Sequence, residues 1–205
     1  MSHIRLTQID GKLPNLALMR LAHWHRQRGD NIHFTRSVLR ELFEPAYERV
    51  YASTIFSYSS ERLACFKRQF PGAIVGGTGS GSWITLEDIL GQIPEQYDYS
   101  LYPDYAPSIG FLQRGCRLRC KFCVVPHKEG RPRPVMTVSE LWRGEPYPKK
   151  LHLLDNDFFG VPGWPQHINE IRSGGFKVCL TQGINVRLIT DELSLIHISE
   201  PTRPY

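Results

Sequence analysis

The sequence predicts an α/β protein in two parts, a doubly wound parallel sheet followed by a second β/α series. Three observations predict it. Short runs rich in β-branched and aromatic residues alternate with stretches of helical spacing, the pattern of a parallel sheet with crossover helices. Glycine clusters stand where strand runs end. An aromatic, aperiodic stretch, Pro94–Pro107, separates the two series and reads as an interdomain connection.

Within the first series, Ile4–Ile9 is a short strand. Pro14 and Asn15 precede a helix that carries Leu18, Leu21 and Ala22 on one face and stops at Gly29. Asn31–Phe34 is a short strand, and Ser37–Phe43 is expected to be helical, ending before Pro45. Val50–Phe56 reads as a buried strand. Ser59 or Ser60 caps a helix over Glu61–Phe70, which Pro71-Gly72 ends. Ala73–Val75 then runs into Gly76-Gly77-Thr78-Gly79-Ser80-Gly81. Ligands of doubly wound sheets sit at the carboxyl ends of strands, and this loop lies at one. A tight turn needing positive φ accounts for the glycines equally well. His23 and His25 are two apart on a helix, point in different directions and read as surface or satisfied core residues.

In the second series, Ser108–Leu112 is a strand and a cysteine-bearing loop follows at once. Val138–Arg143 is helical after Thr137. Lys150–Leu154 is a strand ending in Asp155-Asn156-Asp157. Trp164–Ser173 is helical and broken by Gly174-Gly175. Phe176–Leu180 is a strand leading into Thr181-Gln182-Gly183. Three β/α units in series match the opening of a barrel.

The chain has 205 residues, 41% hydrophobic and 22% charged, which suits one or two domains with real cores. No apolar run approaches the roughly 20 residues that span a bilayer, and Met1–Asp10 lacks a signal-peptide core. A cytoplasmic location with no membrane partner is expected. The net charge of +5 permits an anionic partner, nucleic acid included, without demanding one.

Five cysteines argue against a disulfide framework, which favours even counts. Cys65 and Cys179 stand alone, while Cys116, Cys120 and Cys123 share one short loop, Gly115-Cys116-Arg117-Leu118-Arg119-Cys120-Lys121-Phe122-Cys123. Three soft thiolates suit iron–sulfur chemistry. Bound to a cubane, they leave one iron open to a small molecule. Zinc is the competing metal, because His127 completes a Cys3His set. Arg114, Arg117, Arg119, Lys121, Lys128, Arg131 and Arg133 make the loop strongly basic. They suit an anionic substrate, a reduced cluster or plain solvation.

The spacing C-x3-C-x2-C, with an aromatic before the last cysteine and a strand before the first, resembles the radical S-adenosylmethionine (radical SAM) superfamily. The resemblance implies a (β/α)6 partial TIM barrel, of which residues 101–192 form the first part. It implies a [4Fe–4S] cluster on Cys116, Cys120 and Cys123, with SAM chelated at the open iron. It also implies one-electron cleavage of SAM to a 5′-deoxyadenosyl radical, and an external electron donor of flavodoxin or ferredoxin type. Phe122 is expected beside the SAM adenine. Where the family often has a Gly-Gly-Glu-like motif, this chain has Asp155-Asn156-Asp157. Asp155 and Asp157 are therefore candidate SAM contacts or strand-end turn residues, and Gln182, Asn185 and Arg187 are candidates for the same mouth. The substrate stays open, as do a zinc-stabilised nucleic-acid-binding module and a non-catalytic cluster-binding fragment.

Residues 1–100 resemble the flavodoxin- or Rossmann-like cobalamin-binding domain that precedes many radical SAM barrels. Where base-off members carry D-x-H-x-x-G, this chain has Asp10-Gly11-Lys12-Leu13-Pro14-Asn15, without the histidine. Cobalamin bound without a protein ligand, and no cobalamin at all, both stay open. Leu193–Tyr205 resembles a translated transposase sequencing adapter, and 193–205 is expected to be a non-native tail.

Overall fold

The computed structural model describes residues 1–91 and 95–190, so the expected tail at 193–205 lies outside the described residues. The chain forms two compact units, Met1–Tyr105 and the residues from Ala106 onward. Among the described residues no helix is long and apolar enough to cross a membrane.

The first unit is a four-stranded parallel sheet with helices, an arrangement compatible with a Rossmann-like fold. Its strands are β1 (His3–Gln8), β2 (Asn31–Thr35), β3 (Arg49–Ser53) and β4 (Ile74–Gly76), in the order β2-β1-β3-β4. Helix α1 (Leu16–Gln27) starts where the Asn15 side chain accepts the Leu18 N–H, one of the orphan donors of a helix start. It buries Leu18, Met19, Leu21 and Ala22. Helix α2 (Ser60–Gln69) buries Leu63 and Phe66, which join Ile9, Ala52, Phe70 and Val75 in one core cluster. Each fully buried side chain of this kind contributes about 1.5–3 kcal/mol.

Residues 37–43 are not helical. The buried guanidinium of Arg5 takes the Ser37 and Leu39 carbonyls, at 2.9 and 3.1 Å, and pairs with Glu44. Carbonyls needed for a helical ladder are thus spent on a charge that must be satisfied where it is buried. The stretch after Pro94 is also no loose connection as far as Tyr105. A short helical turn, Tyr99–Leu101, leads to buried Tyr102, whose hydroxyl donates to Gln8 and accepts from the Asn15 N–H. Burial pushes that phenol up to about 12.

His25 is a satisfied core residue, with Nδ1 2.8 Å from Asp30 and Nε2 3.3 Å from the Tyr51 hydroxyl. The glycine loop packs against backbone. A Cβ on Gly77, at φ +95°, would stand 2.1 Å from the Thr54 carbonyl oxygen, and one on Gly79 would stand 2.5 Å from that of Phe56. Close approach requires both glycines. A short helix, α3 (Leu86–Leu90), follows behind a capping box of Thr85 and Asp88.

The second unit has a three-stranded parallel sheet, β5 (Ser108–Gly110), β8 (Lys150–Leu153) and β9 (Lys177–Leu180), in chain order. The segment between β5 and β8 holds β6 (Gln113–Arg114), α4 (Val125–Lys128), β7 (Arg133–Pro134) and α5 (Val138–Leu141). α5 starts with a capping box of Thr137 and Glu140. Helix α6 (Trp164–Gly174) links β8 to β9 and ends at Gly175, at φ +67°. Ile109, Leu112, Leu151 and Leu153 are fully buried, with Val138, Leu141, Ile168 and Ile171 from the two helices also buried.

Candidate metal-cluster site

The cysteine loop leaves the sheet at the carboxyl end of β5. Phe111 and Leu112 stay buried, and β6 then pairs antiparallel with β7, Arg114 opposite Arg133. This hairpin closes the base of the loop. A Cβ on Gly115, at φ +87°, would fall 2.4 Å from the Arg131 carbonyl oxygen, so the chain crosses itself where only glycine fits. The Cys116 N–H reaches the Gly130 carbonyl at 3.3 Å.

Cys116 and Cys123 are half-buried and Cys120 is exposed; all three are free thiols. The Cys123 N–H donates to the Cys120 carbonyl at 3.0 Å, folding these two into one turn. The Leu118 N–H points at the Cys116 sulfur, 3.4 Å away. Burial pushes the Cys116 thiol up. The Leu118 N–H opposes this, and the charges of Asp157, Cys123 and Cys120 add to it. His127 is exposed on α4, and Phe122 is 93% exposed.

Three consecutive side chains at the end of β8 hold the segment that leads into the cysteines. Asp155 is 2% exposed and accepts the Leu112 and Gln113 N–H groups, at 3.2 and 2.7 Å. Burial dominates its titration and pushes the carboxyl up to about 7, against those hydrogen bonds. Asn156 donates to Glu129, whose same oxygen accepts the Gly115 N–H at 3.2 Å. Asp157 takes the Arg117 backbone N–H at 3.1 Å and both arms of its guanidinium, at 2.7 and 2.9 Å. Burial alone pushes the Asp157 carboxyl up. The bonds from Arg117 outweigh that and leave it below its ordinary range. Gln113 adds another tie, donating to the Phe158 carbonyl and accepting the Val161 N–H.

The candidate residues thus divide. The cysteines share one loop, and Asp155 and Asp157 are bound to the backbone that positions it. Gln182 and Arg187 are exposed, and the Asn185 side chain accepts the Arg187 N–H at 3.2 Å beside the short turn Val186–Leu188. Sequence reasoning missed Glu129, Gln113 and Asn156. Glu129 had a usable signal, since it is the only acid in a stretch of seven cations from Arg114 to Arg133.

In the first unit, Asp10 follows the first strand, where base-off members carry the aspartate of D-x-H-x-x-G, and Lys12 stands at the histidine's place. The Asp10 carboxylate accepts the Thr54 hydroxyl at 2.7 Å and the Ile55 and Phe56 N–H groups at 2.7 and 3.1 Å. Burial pushes that carboxyl up, and these bonds hold it below the ordinary range. Residues 10–15 hold no imidazole, so this strand end does not fit histidine ligation of cobalt. No protein-family model and no curated protein matches the chain.

Proposed function

We propose that the second unit is the opening of a radical SAM core and that Cys116, Cys120 and Cys123 hold a [4Fe–4S] cluster. The observation that carries the reading is the placement of three free thiols on one loop at the carboxyl end of a parallel strand, with the next strand's end anchoring that loop. The donor set fits the group, since three thiolates are the soft ligands an iron–sulfur cluster takes. The cluster supplies, when bound, the electron that cleaves SAM.

The protein's own residues prepare the loop. Gly115 lets the chain cross Gly130 and Arg131 closely, and Arg117 clamps to Asp157, so the first cysteine leaves a fixed base. The Leu118 N–H directed at the Cys116 sulfur favours thiolate over thiol there. The cations around the loop favour negative charge on whatever it holds. Asp155 and Asp157 act as positioning residues, because both are engaged with the backbone at the loop's base. Phe122, almost wholly exposed, is free to cover the adenine of a bound SAM. The β5-β8-β9 sheet with α5 and α6 is read as the first part of a (β/α)6 partial barrel. The substrate belongs to no class these residues name.

Anaerobic reconstitution with iron and sulfide, followed by electron paramagnetic resonance of the reduced protein with and without SAM, tests the reading. The expected result is a cubane signal that changes when SAM is added and disappears in Cys116→Ala, Cys120→Ala or Cys123→Ala. A cubane signal indifferent to SAM would leave cluster binding without the SAM reaction. Zinc without sulfide would replace the proposal with a Cys3His site completed by His127.

A further inference from the structure

The strap between β2 and β3 has inverted polarity. At residues 41–44 the Glu44 N–H donates to the Glu41 carbonyl at 3.3 Å, closing a turn. That turn leaves Leu42 and Phe43 89% and 92% exposed, while the Glu44 side chain is only 2% exposed. Large apolar groups normally take the buried positions and carboxylates the exposed ones, so something at this turn favours the Glu44 carboxylate facing in.

Part of the reason is Arg5, which pairs with one Glu44 oxygen. The other oxygen, Oε2, is buried without a hydrogen-bond partner, an arrangement that costs free energy unless a cation or donor meets it. His33 stands beside it. It lies on β2 directly opposite Arg5 on β1, so the two side chains share a face of the sheet. His33, Glu41 and Glu44 each offer a ligand atom, and the three atoms lie within 4.8 Å of one another.

We propose that His33, Glu41 and Glu44 form a site for a first-row divalent cation that ties the strap to the sheet edge. One imidazole and two carboxylates suit manganese, iron or zinc of that charge. His33 brings an imidazole nitrogen to the two carboxylates from the sheet itself, while Glu41 and Glu44 come from the strap. Arg5 already spends its donors on Thr7, Glu44, Ser37 and Leu39, and it stays in place as the second support of the turn. Exposed Glu41 gives the cation its way in. The site lies in the first unit and is independent of the cysteine loop.

The test is titration of the full chain with Mn(II), followed by loss of the aqueous Mn(II) resonance signal. Manganese is chosen because hard cations bind thiolates poorly, so the cysteine loop does not compete. One Mn(II) per chain is expected. Affinity should fall roughly tenfold or more in Glu41→Gln and in His33→Gln, as loss of one ligand from a small site requires. A fixed Mn(II) concentration that saturates the parent should raise its melting temperature by more than that of Glu41→Gln. Glu41 is exposed, so its substitution leaves the fold intact. Absent binding, or equal binding by the parent and both variants, overturns the proposal.

Discussion

Replacing Asp155 by asparagine is expected to change how the stability of the second unit depends on pH. The Asp155 carboxyl is 2% exposed, and burial raises it from 3.8 to about 7. A group whose folded value is raised holds its full stabilising effect below the unfolded value and loses it as pH rises through the folded one. The folded unit therefore keeps a proton that the unfolded chain releases, between 3.8 and about 7. Across that window stability falls with rising pH by up to about 1.4 kcal/mol per unit, roughly 4 kcal/mol in all. Asparagine cannot titrate. It has one acceptor oxygen where the Leu112 and Gln113 N–H groups both need one, so it carries a pH-independent cost of about 1–3 kcal/mol. The parent should thus be the more stable protein near pH 5, and the advantage should shrink or reverse by pH 8. Urea-dependent hydrogen exchange, read by mass spectrometry on peptides of the second unit, measures the difference without contribution from the first unit. Groups unaffected by the substitution cancel in it. A gap between parent and variant that stays constant from pH 5 to pH 8 would refute the argument, because it would mean Asp155 is ionised throughout.

Other outcomes follow from the same physics. Gly77→Ala places a Cβ where the Thr54 carbonyl oxygen stands, at a positive φ that alanine disfavours, and should lower the stability of the first unit by about 2 kcal/mol or more; an unchanged urea midpoint would show that the loop yields freely. Asp157→Asn removes a charge-assisted grip on Arg117, worth about 1.5–3 kcal/mol. A reconstituted chain carrying it should lose iron on gel filtration at least several-fold faster than the parent, and equal retention would remove Asp157 from the loop's support. His25 is buried, which lowers its proton affinity despite Asp30. Its contribution is therefore complete above the ordinary histidine value of 6.5 and is lost as pH falls below it. His25→Gln should flatten the acid side of the first unit's stability curve, and an unaltered acid limb would count against a neutral buried imidazole.

The alternation of strand and helix, the four parallel strands of the first unit, the three of the second and most helix starts were legible in the chain, because period and capping are local properties. The Asn15 cap and the Thr137–Glu140 box are examples: a side chain three residues from its partner satisfies a helix terminus whatever surrounds it. The cysteine loop was legible for the same reason, its cysteine spacing being contained in eight residues. The strap at 37–43 was not. Its helical pattern lost to Arg5, more than thirty residues earlier, whose buried charge demands carbonyl oxygens from whichever segment lies over it. Nor could the order of residues show that Asp155, Asn156 and Asp157 face the cysteine loop's base rather than open space. That follows from β5 and β8 pairing side by side, which brings residues 42, 27 and 40 positions apart within hydrogen-bond reach. Local spacing sets which groups are available, and strand pairing across the sheet decides which of them meet.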